Sequence, residues 1–384
     1  MSDALPYRKH DADPRSVYVH IPFCRHRCGY CNFTLVAGRD QLIEPFLDAL
    51  DQEIQCLDGT YEIDTLFFGG GTPSHLSEKQ LARLGEIVSS RFALSESAEV
   101  SAECNPSDIN DSTLKSLAML GVNRISLGVQ SFDTDKLRRL ERDHDGDVAK
   151  RAFELSMETI GNVSMDLIFA APEETQSDWE TDLQTAISLK PSHLSTYELT
   201  WEKGTTFWNR KLRGELVDSE EELRVTMYQA AIDHCSAAGL QQYEVSSFAA
   251  PSKRCQHNIQ YWLCNPWFGF GPGAAAFTNG VRNTNHRSTT MWIKRIRNGE
   301  SAVDDSVNLS ERDRAIERLI FGLRMVDGID VKAFEVASQS SLGELVGETI
   351  DSLVGRGLIE LSDSMLKLTP NGMMLADSVA CELL

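Results

Sequence analysis

The sequence predicts an α/β fold: a partial, TIM-like (β/α)6 barrel followed by a small helical, winged-helix-like domain. Two observations carry this expectation. β-like runs alternate with segments of helical periodicity six times before about residue 200, and beyond about residue 215 helical patterns take over around one short hairpin. Such alternation calls for parallel strands joined by right-handed crossovers, whose functional loops gather at the C-terminal edge of the strands.

Ser16 to Ile21 opens the series as a β-like run and leads into a cysteine-rich loop. Gln41 to Leu57 then repeats apolar residues at helical spacing through Leu42, Phe46, Leu50, Ile54 and Leu57. The same grammar recurs as Thr65 to Phe68 before Ser77 to Arg91, and as Glu99 to Glu103 before Asp111 to Leu120. Arg124 to Gly128 precedes two helical patterns between Asp133 and Thr159, Val163 to Phe169 precedes Ser177 to Leu189, and His193 to Glu198 closes the series. Ser219 to Ala238 reads as a helix stopped by Gly239, whereas Ser246 to Gly280 is rich in Gly, Pro and aromatics without clear periodicity. Leu309 to Met325 and Val331 to Val354 read as helices, Gly357 to Leu368 as a hairpin and Pro370 to Leu384 as a final helix. The expected division is a core barrel over 1–245, a connecting segment over 246–298 and a helical domain over 299–384.

Composition narrows the function. The 384 residues are 41% hydrophobic and 24% charged, as in an ordinary globular protein. Fifty-seven acidic against thirty-seven basic residues leave a formal charge of −20, which disfavours a nucleic-acid partner held through phosphates. No apolar stretch approaches the roughly 18 residues of a membrane span, and the polar start lacks the apolar region of a signal peptide, so a cytoplasmic location is expected. Nine cysteines are an odd number and three of them crowd into eight residues, unlike a disulfide scaffold.

Those three, Cys24, Cys28 and Cys31, have C-x3-C-x2-C spacing in the loop after the first strand. Soft thiolates suit an iron–sulfur cluster or zinc. Three ligands from one loop can hold three corners of a 4Fe-4S cube and leave one iron open. A structural zinc normally takes four ligands, and no partner pair of suitable spacing is evident; buried structural thiols are the remaining reading. Gly69-Gly70-Gly71-Thr72-Pro73 follows the second strand, where glycines let the backbone approach a ligand; alone it reads first as a tight turn, its position at the strand edge favours the ligand, and no Gly-Lys-Ser/Thr follows to make a phosphate loop. Glu103, Gln130 and Asp166 end, follow or lie in successive strands around one mouth. His257, Tyr261 and Trp262 offer an imidazole and two broad aromatic faces beside Asn258, suited to a porphyrin or to bracing the mouth of the barrel. Gly269-Phe-Gly-Pro-Gly273 follows closely and can bring backbone near the same ligand, although a glycine-rich loop needs no ligand to exist. Cys56 and Cys235 read as buried small hydrophobes, His20 and His26 as groups beside the cluster rather than ligands, and Cys104, Cys255 and Cys264 lack the spacing of a second cluster.

With these residues in view, the cysteine motif, the Gly-Gly-Gly-Thr-Pro loop, Glu103-Cys-Asn-Pro106 and Ser126-Leu-Gly-Val-Gln-Ser-Phe132 resemble the radical S-adenosylmethionine superfamily over about the first 245 residues. The resemblance implies a partial barrel with a 4Fe-4S cluster on Cys24, Cys28 and Cys31, whose fourth iron is chelated by S-adenosylmethionine. It further implies contacts to that cofactor from Tyr18, Gly70, Gly71, Thr72, Glu103, Gln130, Arg142 and Asp166, the match of Arg142 resting on a count of twelve residues from Gln130.

The C-terminal half resembles the branch that holds the oxygen-independent coproporphyrinogen III dehydrogenases and the heme chaperones. The dehydrogenase pattern has a further cysteine two residues after the third ligand, where this chain has Asn32 and then Phe33, and a longer segment than the 23 residues before Cys24. His-Asn-x-x-Tyr-Trp, met by His257, Asn258, Tyr261 and Trp262, resembles the heme-chaperone hallmark. The resemblance implies heme as cargo, hemoproteins as recipients, no nucleic-acid partner, and at most transient membrane contact. The alternatives are radical decarboxylation of coproporphyrinogen III and, disfavoured by charge, tRNA modification.

Overall fold

The structure is a computed structural model and describes residues 7–384; residues 1–6, the start of the expected 1–245 segment, lie outside the described residues. Strand β1 (Ser16–Ile21) leads into the cysteine loop, where β2 (Phe23–Cys24) and β3 (Val36–Ala37) pair in parallel. Strands β4 (Tyr61–Gly70), β5 (Phe92–Cys104), β6 (Arg124–Gln130), β7 (Val163–Phe169) and β8 (His193–Glu198) then lie side by side, each parallel to the last. Strands β9 (Gln241–Glu244) and β10 (Ser247–Ala249) continue the sheet antiparallel beyond β8, and β11 (Phe268–Phe270) pairs parallel with β1 at the other edge. The sheet therefore has nine strands in the order β11-β1-β4-β5-β6-β7-β8-β10-β9.

The three edge strands β9 to β11 were not expected from the sequence. Each has only three or four residues, too short for alternation to stand out from the surrounding Gly and Pro. Likewise, β12 (Ala275–Thr278), β13 (Val281–Asn285) and β14 (Val303–Asn308) form an unanticipated antiparallel sheet.

Helices α1 (Ile43–Gln55), α2 (Glu78–Ser89), α3 (Asp111–Met119), α4 (Thr134–Arg139), α5 (Gly146–Thr159) and α6 (Gln176–Ser188) supply the crossovers. Their starts are written in side chains: Asn110, Asp133, Asp145 and Thr175 each accept from the first-turn amides of the helix they cap. Next come α7 (Thr206–Leu212), α8 (Glu221–Ala237), α9 (Gln256–Trp262) and α10 (Thr289–Arg297). The C-terminal part holds α11 (Glu311–Gly322), α12 (Val331–Ser338), α13 (Leu342–Gly355), α14 (Pro370–Met374) and α15 (Ala376–Leu383). These pack on a small sheet in which β15 (Ile329–Asp330) and β16 (Ile359–Ser362) flank β17 (Met365–Leu368). Two expected single helices are split. Gln339 adopts the left-handed region, φ 54°, between α12 and α13, and Leu375 leaves helical geometry between α14 and α15.

Strand alternation sorts the chain into an apolar layer and a polar interior. Val17, Val19 and Ile21 of β1, Ile125, Leu127 and Val129 of β6, and Val163, Met165 and Leu167 of β7 are fully buried in the main core under the helices. Their alternating neighbours, Tyr18, Ser126, Gln130 and Asp166 among them, line the inside of the barrel. One charged cluster lies in the body of the fold. Lys136 is 0% exposed and ion-pairs with Glu174 and Asp182. Asp182 also accepts from Ser131 Oγ at 2.6 Å and Phe132 N at 2.7 Å, and Glu174 from Ala171 N at 2.9 Å. The cluster thus pins the loops that follow β6 and β7. Removing the cation alone strands two buried carboxylates. Lys136→Ala is expected to cost about 3–5 kcal/mol in urea unfolding; a loss below about 1 kcal/mol would show the cluster to be dispensable.

Candidate functional site

A cavity of about 940 Å³ runs inside the barrel, from the cysteine loop at the C-terminal ends of the strands to α9 at their N-terminal ends. At the cysteine end, Cys24, Cys28 and Cys31 all line it, and the glycine loop lies against them. Gly71 N donates to Ile21 O and Thr72 N to Phe23 O, both at 2.8 Å, while Thr72 Oγ1 lies 3.1 Å from Cys24 Sγ. A side chain at position 71 would start 2.6 Å from Ile21 O. Gly70, at φ +102°, would drive a Cβ to 2.2 Å from the His20 ring. The glycines are required by this close approach, which the tight-turn reading does not explain.

Glu103, at the end of β5, accepts from Gly70 N at 2.8 Å and faces the cavity. Burial pushes its carboxyl up to about 7, opposed by the Gly70 amide and reinforced by Asp166. Asp166 accepts from Ser126 Oγ at 2.8 Å and is also raised, chiefly by burial. Gln130, φ 66°, ends β6 in the left-handed region and turns into the cavity. Arg142 reaches the same wall, donating to Gly128 O at 2.8 Å and Cys28 Sγ at 3.6 Å. Burial also pushes the Cys24 thiol up to about 12, with Thr72 opposing. Tyr18 lines the cavity on β1. His20 Nε2 donates to Thr34 O at 2.6 Å, which leaves Nδ1 to accept from the Tyr18 hydroxyl at 3.1 Å. Burial lowers His20 to about 4, consistent with that neutral form.

The His-Asn-x-x-Tyr-Trp segment does not sit at the mouth of the barrel. It forms α9, whose first amides are capped by Glu99 of β5, with Gln256 N at 2.9 Å and His257 N at 3.1 Å. This anchors it beneath the N-terminal ends of the strands. His257 is 1% exposed, and both ring nitrogens are engaged: Nδ1 with Thr65 Oγ1 and Nε2 with Tyr261 Oη, each at 2.9 Å. Its ring stacks on Phe67, and burial lowers it to about 3. An iron at Nε2 would have to displace the Tyr261 hydroxyl. Asn258 and Tyr261 line the cavity, but Trp262 does not; it points the other way, stacked on Phe321 with Arg324 over its face. Trp262 is turned about 100° around the helix from Tyr261, which carries it to the Phe321 side.

Other expectations are corrected or refined. Cys56 is exposed at the end of α1, its thiol donating to Gln52 O, because it falls past the apolar stripe; Cys235 is buried. Gly271 and Gly273 press against His20 and Thr34 of the cysteine loop, so the Gly269–Gly273 stretch braces that loop, and Gly273 alone of its glycines lines the cavity. Sequence reading passed over Arg124, Tyr30, Ser126 and Arg287, which all line the cavity. Alternation along β6 puts Arg124 and Ser126 on the face of Gln130 and was a usable signal; Arg287 reaches the site only by tertiary contact, donating to Asn32 O at 2.9 Å.

Residues 18–186 match the Radical SAM superfamily model, and residues 309–375 match the HemN C-terminal domain. The fold and the cysteine-lined barrel mouth thus define a radical S-adenosylmethionine superfamily protein. The chain is 35% identical to the heme chaperone HemW of Bacillus subtilis (strain 168), over 95% of this chain and 98% of that one. It is 31% identical to heme chaperone HemW of Escherichia coli (strain K12), over 95% and 97%. It is also 33% identical to the mitochondrial radical S-adenosyl methionine domain-containing protein 1 of Danio rerio, over 98% and 88%. The chain belongs to the HemW family. The solved structure of coproporphyrinogen III oxidase (HemN) from Escherichia coli has the same fold, with a TM-score of 0.86 at 22% identity, covering 98% of this chain and 91% of that one.

The raised Glu103 carboxyl makes a pH prediction. With a folded value near 7 against an ordinary 4.5, the folded state holds this proton more tightly, so stability falls as pH rises between those values. Glu103→Gln keeps an acceptor for Gly70 N and removes the penalty. It is expected to stabilise the metal-free chain by roughly 3 kcal/mol above pH 7 and by little near pH 4.5. A gain independent of pH in thermal unfolding would overturn this account.

Proposed function

We propose that this chain is a heme chaperone that takes up heme and passes it to hemoprotein targets in the cytoplasm, carrying a 4Fe-4S cluster and S-adenosylmethionine. The observation that carries the reading is that the three cysteines and the Asn258–Tyr261 face of α9 open onto one cavity. Its 940 Å³ lies at the upper end of ligand-site volumes. Among the described residues no helix is long and apolar enough to cross a membrane.

The donor set fits the cluster: Cys24, Cys28 and Cys31 reach one end of the cavity from a single loop and would hold three irons. When bound, such a cluster supplies an open iron that chelates an amino acid and delivers an electron. The chain's own residues prepare the surroundings. Arg142 offsets negative charge at Cys28, and Thr72 at Cys24. Gly70, Gly71 and Thr72 would meet the cofactor through backbone, Glu103 its ammonium, and Asp166, Tyr18 and Gln130 its hydroxyls and base. At the other end Asn258 and Tyr261 would touch heme, with His257 holding the Tyr261 hydroxyl in place; Trp262 anchors the segment to α11.

The test is a pair of assays on anaerobically reconstituted protein. Heme titration is expected to give a saturable Soret band, and coproporphyrinogen III is expected to remain undecarboxylated. Turnover of coproporphyrinogen III without heme binding would replace the chaperone by the dehydrogenase. Replacing Cys24, Cys28 and Cys31 together by Ala should abolish cluster absorbance; four irons retained per chain would sink the ligand assignment.

A further inference from the structure

We infer that the closed end of the barrel is a carboxylate pocket in which Arg124 receives a propionate of the tetrapyrrole cargo, an inference that rests on the heme-chaperone reading. Three arginines line the cavity. Arg142 is spent on Gly128 O and Cys28 Sγ, and Arg287 on Asn32 O and Thr34 Oγ1. Arg124 is different. It is 2% exposed, its Nε, like that of Arg142, finds no acceptor, and unlike Arg142 and Arg287 its guanidinium makes no hydrogen bond to the described residues. The carboxylates closest in charge to it, Glu99 and Asp166, bond elsewhere: Glu99 with the α9 amides, the Cys255 thiol and Ser101 Oγ, Asp166 with Ser126 and Ser164. They balance the guanidinium through space and leave its donors free.

A buried cation without hydrogen-bond partners is costly, and a guanidinium is shaped to take a carboxylate on two parallel N–H groups. Strand register puts Arg124 opposite Ser101 near the start of β6, two residues below Ser126, on the same inward face. Asn258, one of the residues that line the end closed by α9, adds a neutral amide to this region of the cavity. On a chain of formal charge −20 an anionic cargo needs such a local cation. The cluster end and the carboxylate end are then two separate anchors for ligands in one cavity.

The experiment compares heme with its dimethyl ester, in which both propionates are neutral, on reconstituted wild-type protein and on Arg124→Gln. Wild type is expected to bind heme at least about tenfold more tightly than the ester, the scale of one charge-assisted pair. Arg124→Gln should weaken heme about tenfold while leaving the ester and S-adenosylmethionine unchanged. Equal wild-type affinity for acid and ester overturns the pocket, as does a parallel loss for both in the variant. A loss confined to S-adenosylmethionine would assign the guanidinium to that cofactor's carboxylate instead, and would also overturn the proposal. If the variant fails to fold, the acid-against-ester contrast in wild type decides. A heme-independent arm separates this inference from the function it rests on: sodium propionate should shift the Arg124 Nε–H resonance of selectively labelled wild-type protein. That shift in a chain that does not bind heme keeps the pocket and removes the chaperone reading, whereas no shift removes the pocket.

Discussion

The structure depends on a parallel sheet whose inward face is polar. In a packed α/β barrel the interior is filled by branched apolar side chains, and it is a core. Here the inward positions carry Tyr18, Thr65, Glu99, Glu103, Arg124, Ser126 and Asp166, groups that lose water on folding and must find partners or a ligand. They find both. Glu99 spends its oxygens on α9, Asp166 on serines of β6 and β7, and Glu103 on the glycine loop. The cavity lies within this polar interior, and the main apolar core of the barrel lies in the outer layer between strands and helices.

A second consequence is that the two halves of the chain are locked at the site. The segment after residue 246 supplies α9 to one end of the barrel, β11 to one sheet edge, and the Gly269–Gly273 stretch to the back of the cysteine loop. Glu53 of α1, buried and raised to about 7 by that burial, accepts from Gly271 N at 2.8 Å and Asn285 Nδ2 at 2.6 Å. One carboxylate therefore ties the first crossover helix to the C-terminal loops that support the cysteines. The connecting segment is structural and cavity-lining at once, which explains its lack of periodicity: each residue answers a different neighbour.

Much of this was legible in the residues. The six central strands, their crossover helices and the C-terminal hairpin follow from alternation, helical spacing and capping side chains, all of which are short-range. The cysteine spacing, the triple glycine and the polar ends of successive strands located the mouth of the site. Less legible was which way the His257 segment faces. Its chemistry suggested an imidazole beside two aromatic faces at the barrel's mouth, yet Thr65 and Tyr261 consume both nitrogens and Trp262 turns away.

By itself the sequence determined the α/β class, the strand faces and the cluster of thiols, because each depends on residues within a few positions of one another. Tertiary structure alone decided that α9 closes the N-terminal end of the barrel, that Arg142 faces Cys28, and that Arg124 is left without an acceptor. Those outcomes turn on where distant segments bring their hydrogen-bond partners, and no local pattern encodes which buried donors will be left over.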